Sequence, residues 1–113
     1  MKTCVQKLFL TLAFLALPTL ALAQLSFMTN SGAITITGYN QAGGFNVVIP
    51  AATNGYPVTG IADFAFQVST YITNVTIPNS IKSIGKYAFY DCTRLTNVTL
   101  PGSVTNLGRL VFD

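Results

Sequence analysis

Few side chains in this sequence are equipped for chemistry. It contains no histidine, and its only carboxylates are Asp63, Asp91 and Asp113. Cys/His zinc sites and His-based triads are therefore ruled out by composition. Most general acid–base pairs and calcium loops go with them. Serine and threonine hydroxyls are plentiful, but the bases available to them are Lys82 and Lys86, and no other feature supports Ser–Lys chemistry. Gly55 and Gly60 are five apart but lack the Lys-Ser/Thr that completes a phosphate loop. The expectation is a non-enzyme with no catalytic, cofactor-binding or metal-binding residues and no cofactor.

Three further groups admit two readings each. Cys92 is either a reactive or intermolecular thiol, or a buried structural residue, the commoner fate of cysteine. Asn74-Val75-Thr76 and Asn97-Val98-Thr99 match the glycosylation tripeptide, but they recur at a fixed spacing that explains them without a glycan. Tyr39, Tyr56, Tyr71, Tyr87 and Tyr90 suggest stacking on sugars. Against this, Tyr87 shares its phase with Phe64, and Phe66, Phe89 and Phe112 share another, as core aromatics do.

The elements that position these residues begin after an N-terminal segment of different character. Lys2 and Lys7 precede an uncharged apolar run, Leu8–Leu17, then Pro18 and a small-x-small Ala21-Leu22-Ala23. This is the layout of a secretory signal peptide, residues 1–23, with cleavage expected after Ala23. A membrane-spanning helix is the alternative. The uncharged stretch from Leu8 to Ala23 contains a proline and falls short of the roughly 20 residues that a span requires. The expected location is extracellular or on the cell surface, with no stable membrane span after cleavage. The remaining chain keeps Lys82, Lys86, Arg94 and Arg109 against three aspartates, so the basic balance disappears. No clustered basic patch is left for nucleic acid. Cys4 leaves with the signal, and Cys92 then has no internal disulfide partner. Half of all residues are apolar and 8% are charged, the composition of a chain that folds by packing.

Self-comparison shows what that packing is. Ile72–Tyr90 (ITNVTIPNSIKSIGKYAFY) and Leu95–Asp113 (LTNVTLPGSVTNLGRLVFD) match at an offset of 23. Val58, Ile61, Ala65 and Phe66 extend the pattern one copy earlier. The front of that copy, Phe45–Pro50, is displaced by 28, and the loop-like Ala51–Gly55 accommodates the five extra residues. A period of 20 to 29 residues is that of leucine-rich solenoids. Val75 and Ile77 point to one face of a strand and Thr76 to the other. Pro78, which has no N–H, ends the strand. Ile81 and Ile84 return apolar groups inward, Gly85 allows a bend, and Lys86–Asp91 is expected to form one short helical turn that places Ala88 and Phe89 inside. Successive coils then stack their strands into a parallel sheet.

The segment IGKYAFYDCTRLTNVTLP resembles the BspA-like type of bacterial leucine-rich repeat. Gly85, Ala88, Phe89, Cys92, Leu95, Val98, Leu100 and Pro101 stand at that family's pattern positions. The resemblance covers Gly44–Asp113. Ser69 replaces the patterned cysteine one copy earlier, and Leu110-Val111-Phe112 replaces Tyr87-Ala88-Phe89. It implies a leucine-rich-repeat solenoid with one short strand and one short helical turn per 23-residue repeat. It also implies an exported or surface protein that works in adhesion and protein binding.

Residues 24–43 differ from the repeats. Ala33–Thr37 alternates apolar and polar residues after the Asn30-Ser31-Gly32 turn signal, so Ser26–Thr37 is expected to form a β-hairpin capping the first coil. Residues 44–113 then hold about two and a half to three repeats, the last incomplete. Val104, Leu107, Leu110, Val111 and Phe112 have no following repeat over them, which favours a fragment of a longer protein over an edge that docks on a partner.

The expected binding strip is the solvent side of the repeat strands. It consists of the row Asn46, Asn74, Asn97, the row Val48, Thr76, Thr99, and Thr73 and Thr96, with Phe45 at the equivalent place. Asparagine and threonine also suit an exposed strand without any ligand, and the asparagines can bond one another between coils. The expected role is a protein-binding or adhesion module whose ligand is a protein or a surface glycan. The alternatives are a spacer that displays a downstream domain, or the leading part of a hydrolase.

Overall fold

The computed structural model describes residues 25–40 and 44–113. The expected signal segment, residues 1–23, and the linker residues 41–43 lie outside the described residues. The strands are β1 (Leu25–Asn30), β2 (Ala33–Tyr39), β3 (Asn46–Val48), β4 (Ala52–Thr53), β5 (Tyr56–Ile61), β6 (Asn74–Thr76), β7 (Ser83–Ile84), β8 (Asn97–Thr99) and β9 (Asn106–Leu107). They build a parallel β-solenoid with two sheets. The long sheet runs β1-β2-β5-β7-β9, with β4 attached to β5, and the short sheet runs β3-β6-β8.

The sequence offsets set the register. Asn74 pairs with Asn97 and Thr76 with Thr99 at the offset of 23, while Asn46 and Val48 pair with Asn74 and Thr76 at 28. Ser83 and Ile84 pair with Asn106 and Leu107 on the long sheet. Ile77 and Leu100 therefore follow register partners on adjacent rungs. Within the middle rung Val75, Ile77, Ile81, Ile84, Ala88 and Phe89 point inward and are buried, and Thr76 is exposed, as the alternation requires. Phe66, Phe89 and Phe112 stack along the axis with centroids 4.9 and 5.5 Å apart, and Tyr39 caps the column at 5.6 Å from Phe66.

The expected hairpin is β1–β2. It turns at Ser31-Gly32, and β2 lies parallel to β5 with Ile34 beside Val58 and Ile36 beside Ile61. Ile34 and Ile36 are fully buried and close the interior of the first coil.

Three details differ from expectation. The repeat's third side is not a helical turn; no described residue is helical. Phe64, Val68, Tyr87, Asp91 and Leu110 have positive φ, which a right-handed helix cannot contain. The alternate N–H groups of Phe64, Phe66 and Val68 bond Lys86, Ala88 and Tyr90 carbonyls at 2.8–3.0 Å. Tyr87, Phe89 and Asp91 repeat this one rung on. Alternate N–H groups are thus spent between rungs, while those of Ala65, Gln67 and Ser69 bond carbonyls three residues back. Second, the Ala51–Gly55 insertion forms a hairpin of β4 with the start of β5, turned by Asn54-Gly55. Both turn residues have positive φ (53° and 81°), the I′ geometry for which Asn-Gly is the favoured pair. Third, Gly85 is required by close approach and not by a bend. A β-carbon on it would lie 2.6 Å from the Ala62 carbonyl carbon and closer still to Asp63 N; Gly108 meets the Gly85–Lys86 backbone in the same way.

Candidate functional site

The strip anticipated on the short sheet is assembled by rung register. Asn46, Asn74 and Asn97 form one row across β3, β6 and β8, and Val48, Thr76 and Thr99 form another. Together they line a shallow polar groove across the sheet. The asparagines are tied into a ladder: Asn97 Nδ2 donates to Asn74 Oδ1 at 2.9 Å, and Asn74 Nδ2 donates to Asn46 Oδ1. Both tripeptide amide nitrogens are thereby held within the sheet. Thr73 and Thr96 serve the backbone, donating from Oγ1 to the Phe45 and Thr73 carbonyls at 3.3 Å. Those same carbonyls accept two N–H groups each from the following rung. Val48, Thr76 and Thr99 are exposed, and no hydrogen bond joins the two threonine hydroxyls to a described residue. The strip thus divides into a self-bonded asparagine ladder and an outward row of Val48, Thr76 and Thr99.

Cys92 is half-buried against the core, and its thiol donates to the Phe66 carbonyl at 3.0 Å. Burial pushes the thiol pKa up, opposed by a bond from the Ser69 backbone and reinforced by the Asp91 charge. A thiol held in its neutral form is a poor nucleophile. The aromatic rows separate. Phe66 and Phe89 are core, whereas Phe64 and Tyr87 stack at 5.3 Å on the outside, with Phe64 exposed. Phe89 lies inside as its phase implies, whereas the Phe64–Tyr87 row, expected in the core on the same ground, lies outside.

The family model "BspA type Leucine rich repeat region (6 copies)" matches residues 52–113, more than half of the chain. The chain belongs to the BspA-type leucine-rich repeat family. Among solved structures, this BspA-type chain is similar to a leucine-rich repeat protein from Bacteroides capillosus, with 35% identity and a TM-score of 0.73. That match covers 79% of this chain and 70% of the other. A leucine rich cell surface protein from Faecalibacterium prausnitzii matches at 38% identity and a TM-score of 0.68, over 79% of this chain and 26% of that one. The leucine-rich repeat protein of T. pallidum matches at 30% identity and a TM-score of 0.71, covering 75% and 40% respectively. The BspA-type chain thus spans well under half of two of these three proteins. A comparison with curated proteins finds no match. Among the described residues no helix is long and apolar enough to cross a membrane.

Proposed function

We propose that this BspA-type module is exported and displayed outside the cell, where the short sheet binds a protein ligand in adhesion. The observation that carries the reading is the outward row of Val48, Thr76 and Thr99, held at rung spacing on a charge-free face whose asparagines are already bonded to one another. Such a face offers hydroxyl and methyl contacts without the desolvation penalty of buried charge. The apolar segment at residues 8–17 and the similarity to the Faecalibacterium cell surface protein support display.

The test is adhesion of cells displaying the chain to a panel of immobilised extracellular proteins. Thr76→Arg/Thr99→Arg should abolish any binding seen with the unmodified chain while leaving the circular dichroism spectrum unchanged. Retained adhesion would move the contact off this sheet. Mass spectrometry of the exported chain should show an N-terminus at Gln24. A chain that binds nothing on the panel yet holds a downstream domain away from the cell would favour the spacer reading.

A further inference from the structure

The two sheets stop at different levels on the hairpin side of the solenoid. Each coil contributes a short-sheet strand and then a long-sheet strand: β3 with β5, β6 with β7, β8 with β9. The long sheet continues past β5 with β2 and β1, whereas the short sheet ends at β3. β3 therefore has an edge set back by two strands beside the hairpin. The Phe45 carbonyl accepts from Thr73 and Asn74, and the Ile49 N–H donates to the Thr76 carbonyl at 3.1 Å. Successive residues of a strand aim their N–H and C=O groups to opposite sides. Asn46 and Val48 therefore aim theirs away from β6, and among the described residues no other strand pairs with β3. Phe45 and Val48, each more than half exposed, put apolar surface beside those groups.

The asparagine ladder ends at the same edge. Asn46 Oδ1 accepts from Asn74, so Asn46 Nδ2 is the terminal donor, and among the described residues it has no acceptor. A strand with a side-chain acceptor opposite Asn46 would add one more step to the ladder. Sheet edges are ordinarily guarded by charge, proline or a bulge. β1 carries a bulge at Ser26–Phe27. β3 has neither bulge nor proline, and no residue from Leu25 to Ala62 is charged.

The fold also selects the occupant. Another copy stacked end to end would bring β8 and β9 up together, and its β9 edge would meet the β1–β2 hairpin before β8 reached β3. A single extended segment meets no such block. Donors and acceptors that alternate along a strand are matched, at their own spacing, by another peptide backbone.

We infer that the free edge of β3 takes up an extended peptide strand from a protein partner, with Asn or Asp opposite Asn46 and Val or Thr two residues away, opposite Val48. β-Branched residues pair well across strands. This site is apart from the outward row on the sheet face, although Val48 belongs to both, and it does not require that row to bind anything.

The probe is the end-capped pentapeptide Thr-Asn-Val-Thr-Ile, the sequence of residues 73–77, titrated into the isotope-labelled chain. The amide resonances of Asn46 and Val48 should shift with a Kd on the order of 1 mM. A peptide with Asp for Asn should bind at least as well, and one with Lys for Asn at least about fivefold more weakly, because Asn46 Nδ2 needs an acceptor. The peptide methylated at every backbone nitrogen should not bind. Val48→Pro removes an edge N–H that β6 does not use and should weaken binding about tenfold or more. If that variant unfolds, the methylated and Lys peptides decide on the unmodified chain. Thr76→Arg/Thr99→Arg alters the sheet face and should leave the peptide bound, which separates this inference from the adhesion reading. Unmoved Asn46 and Val48 resonances, binding by the methylated peptide, or equal binding by the Lys peptide would each overturn it. So would loss of the peptide in Thr76→Arg/Thr99→Arg, which would place it on the face. A dimer of the chain in sedimentation that Val48→Pro abolishes would give the edge to a second copy and overturn the inference as well.

Discussion

The two ends of the solenoid carry the same residue types at the same repeat phase and treat them differently. Ile61 and Ile84 are each 2% exposed, but Leu107 is 54% exposed. Phe66 and Phe89 are 0% and 1% exposed, whereas Phe112 is 44%. At the hairpin end Ile34 and Ile36 supply the missing neighbour, although that segment shares none of the repeat pattern. A coil therefore does not bury its own apolar row; the next rung does. That is the nearest-neighbour behaviour of a quasi-one-dimensional fold, in which stability accrues interface by interface.

The strongest way to break this comparison is to truncate the same ring at both positions. Phe89→Ala should cost about 3–5 kcal/mol, as core aromatic truncations do, because rings lie on both of its faces. Phe112→Ala, with one face covered, should cost about 1–2 kcal/mol. Urea unfolding of the two variants measures the difference, and equal losses would end the nearest-neighbour account. A smaller effect sharpens it at the backbone. Gly85→Ala drives a methyl group into the preceding rung and should cost about 1–3 kcal/mol. Gly102, whose β-carbon would meet nothing within 4 Å, should accept alanine within about 0.5 kcal/mol. If both melt alike, the rungs are not packed as closely as described.

The smallest effect concerns Cys92, which lies near the exposed end. Burial raises its pKa above the ordinary 9.0, so the folded state holds the thiol proton more tightly than the unfolded chain does. The associated stability is complete below the unfolded value and is lost as pH rises through the folded one. The Tm of the unmodified chain should therefore fall faster above pH 9.0 than that of Cys92→Ser. The serine mimics Ser69, which occupies the same phase one rung earlier. A constant gap between the two melting curves from neutral to alkaline pH would mean that the thiol is solvated.

Much of this architecture is legible in the residues. The 23-residue offset dictates the Asn74–Asn97 and Ile84–Leu107 pairings, because residues at equal phase in a repeat must become neighbours when coils stack. The displacement of 28 marks the insertion, and its Asn-Gly step is a hairpin signal that a loop reading passes over. Lys86–Asp91 was harder to read. Its length suits a helical turn, but Tyr87 and Asp91 adopt positive φ so that alternate amides reach the next rung. That preference belongs to the neighbour and leaves no local trace.

Alone, then, the sequence determined the period, the inward phases of the core and the row of Asn and Thr side chains, because periodic spacing converts directly into stacking register. The tertiary structure decided that the Phe64–Tyr87 row lies outside and how the third side of each coil is bonded. Both depend on hydrogen bonds and packing across rungs, between residues that are 22 or more positions apart in the chain.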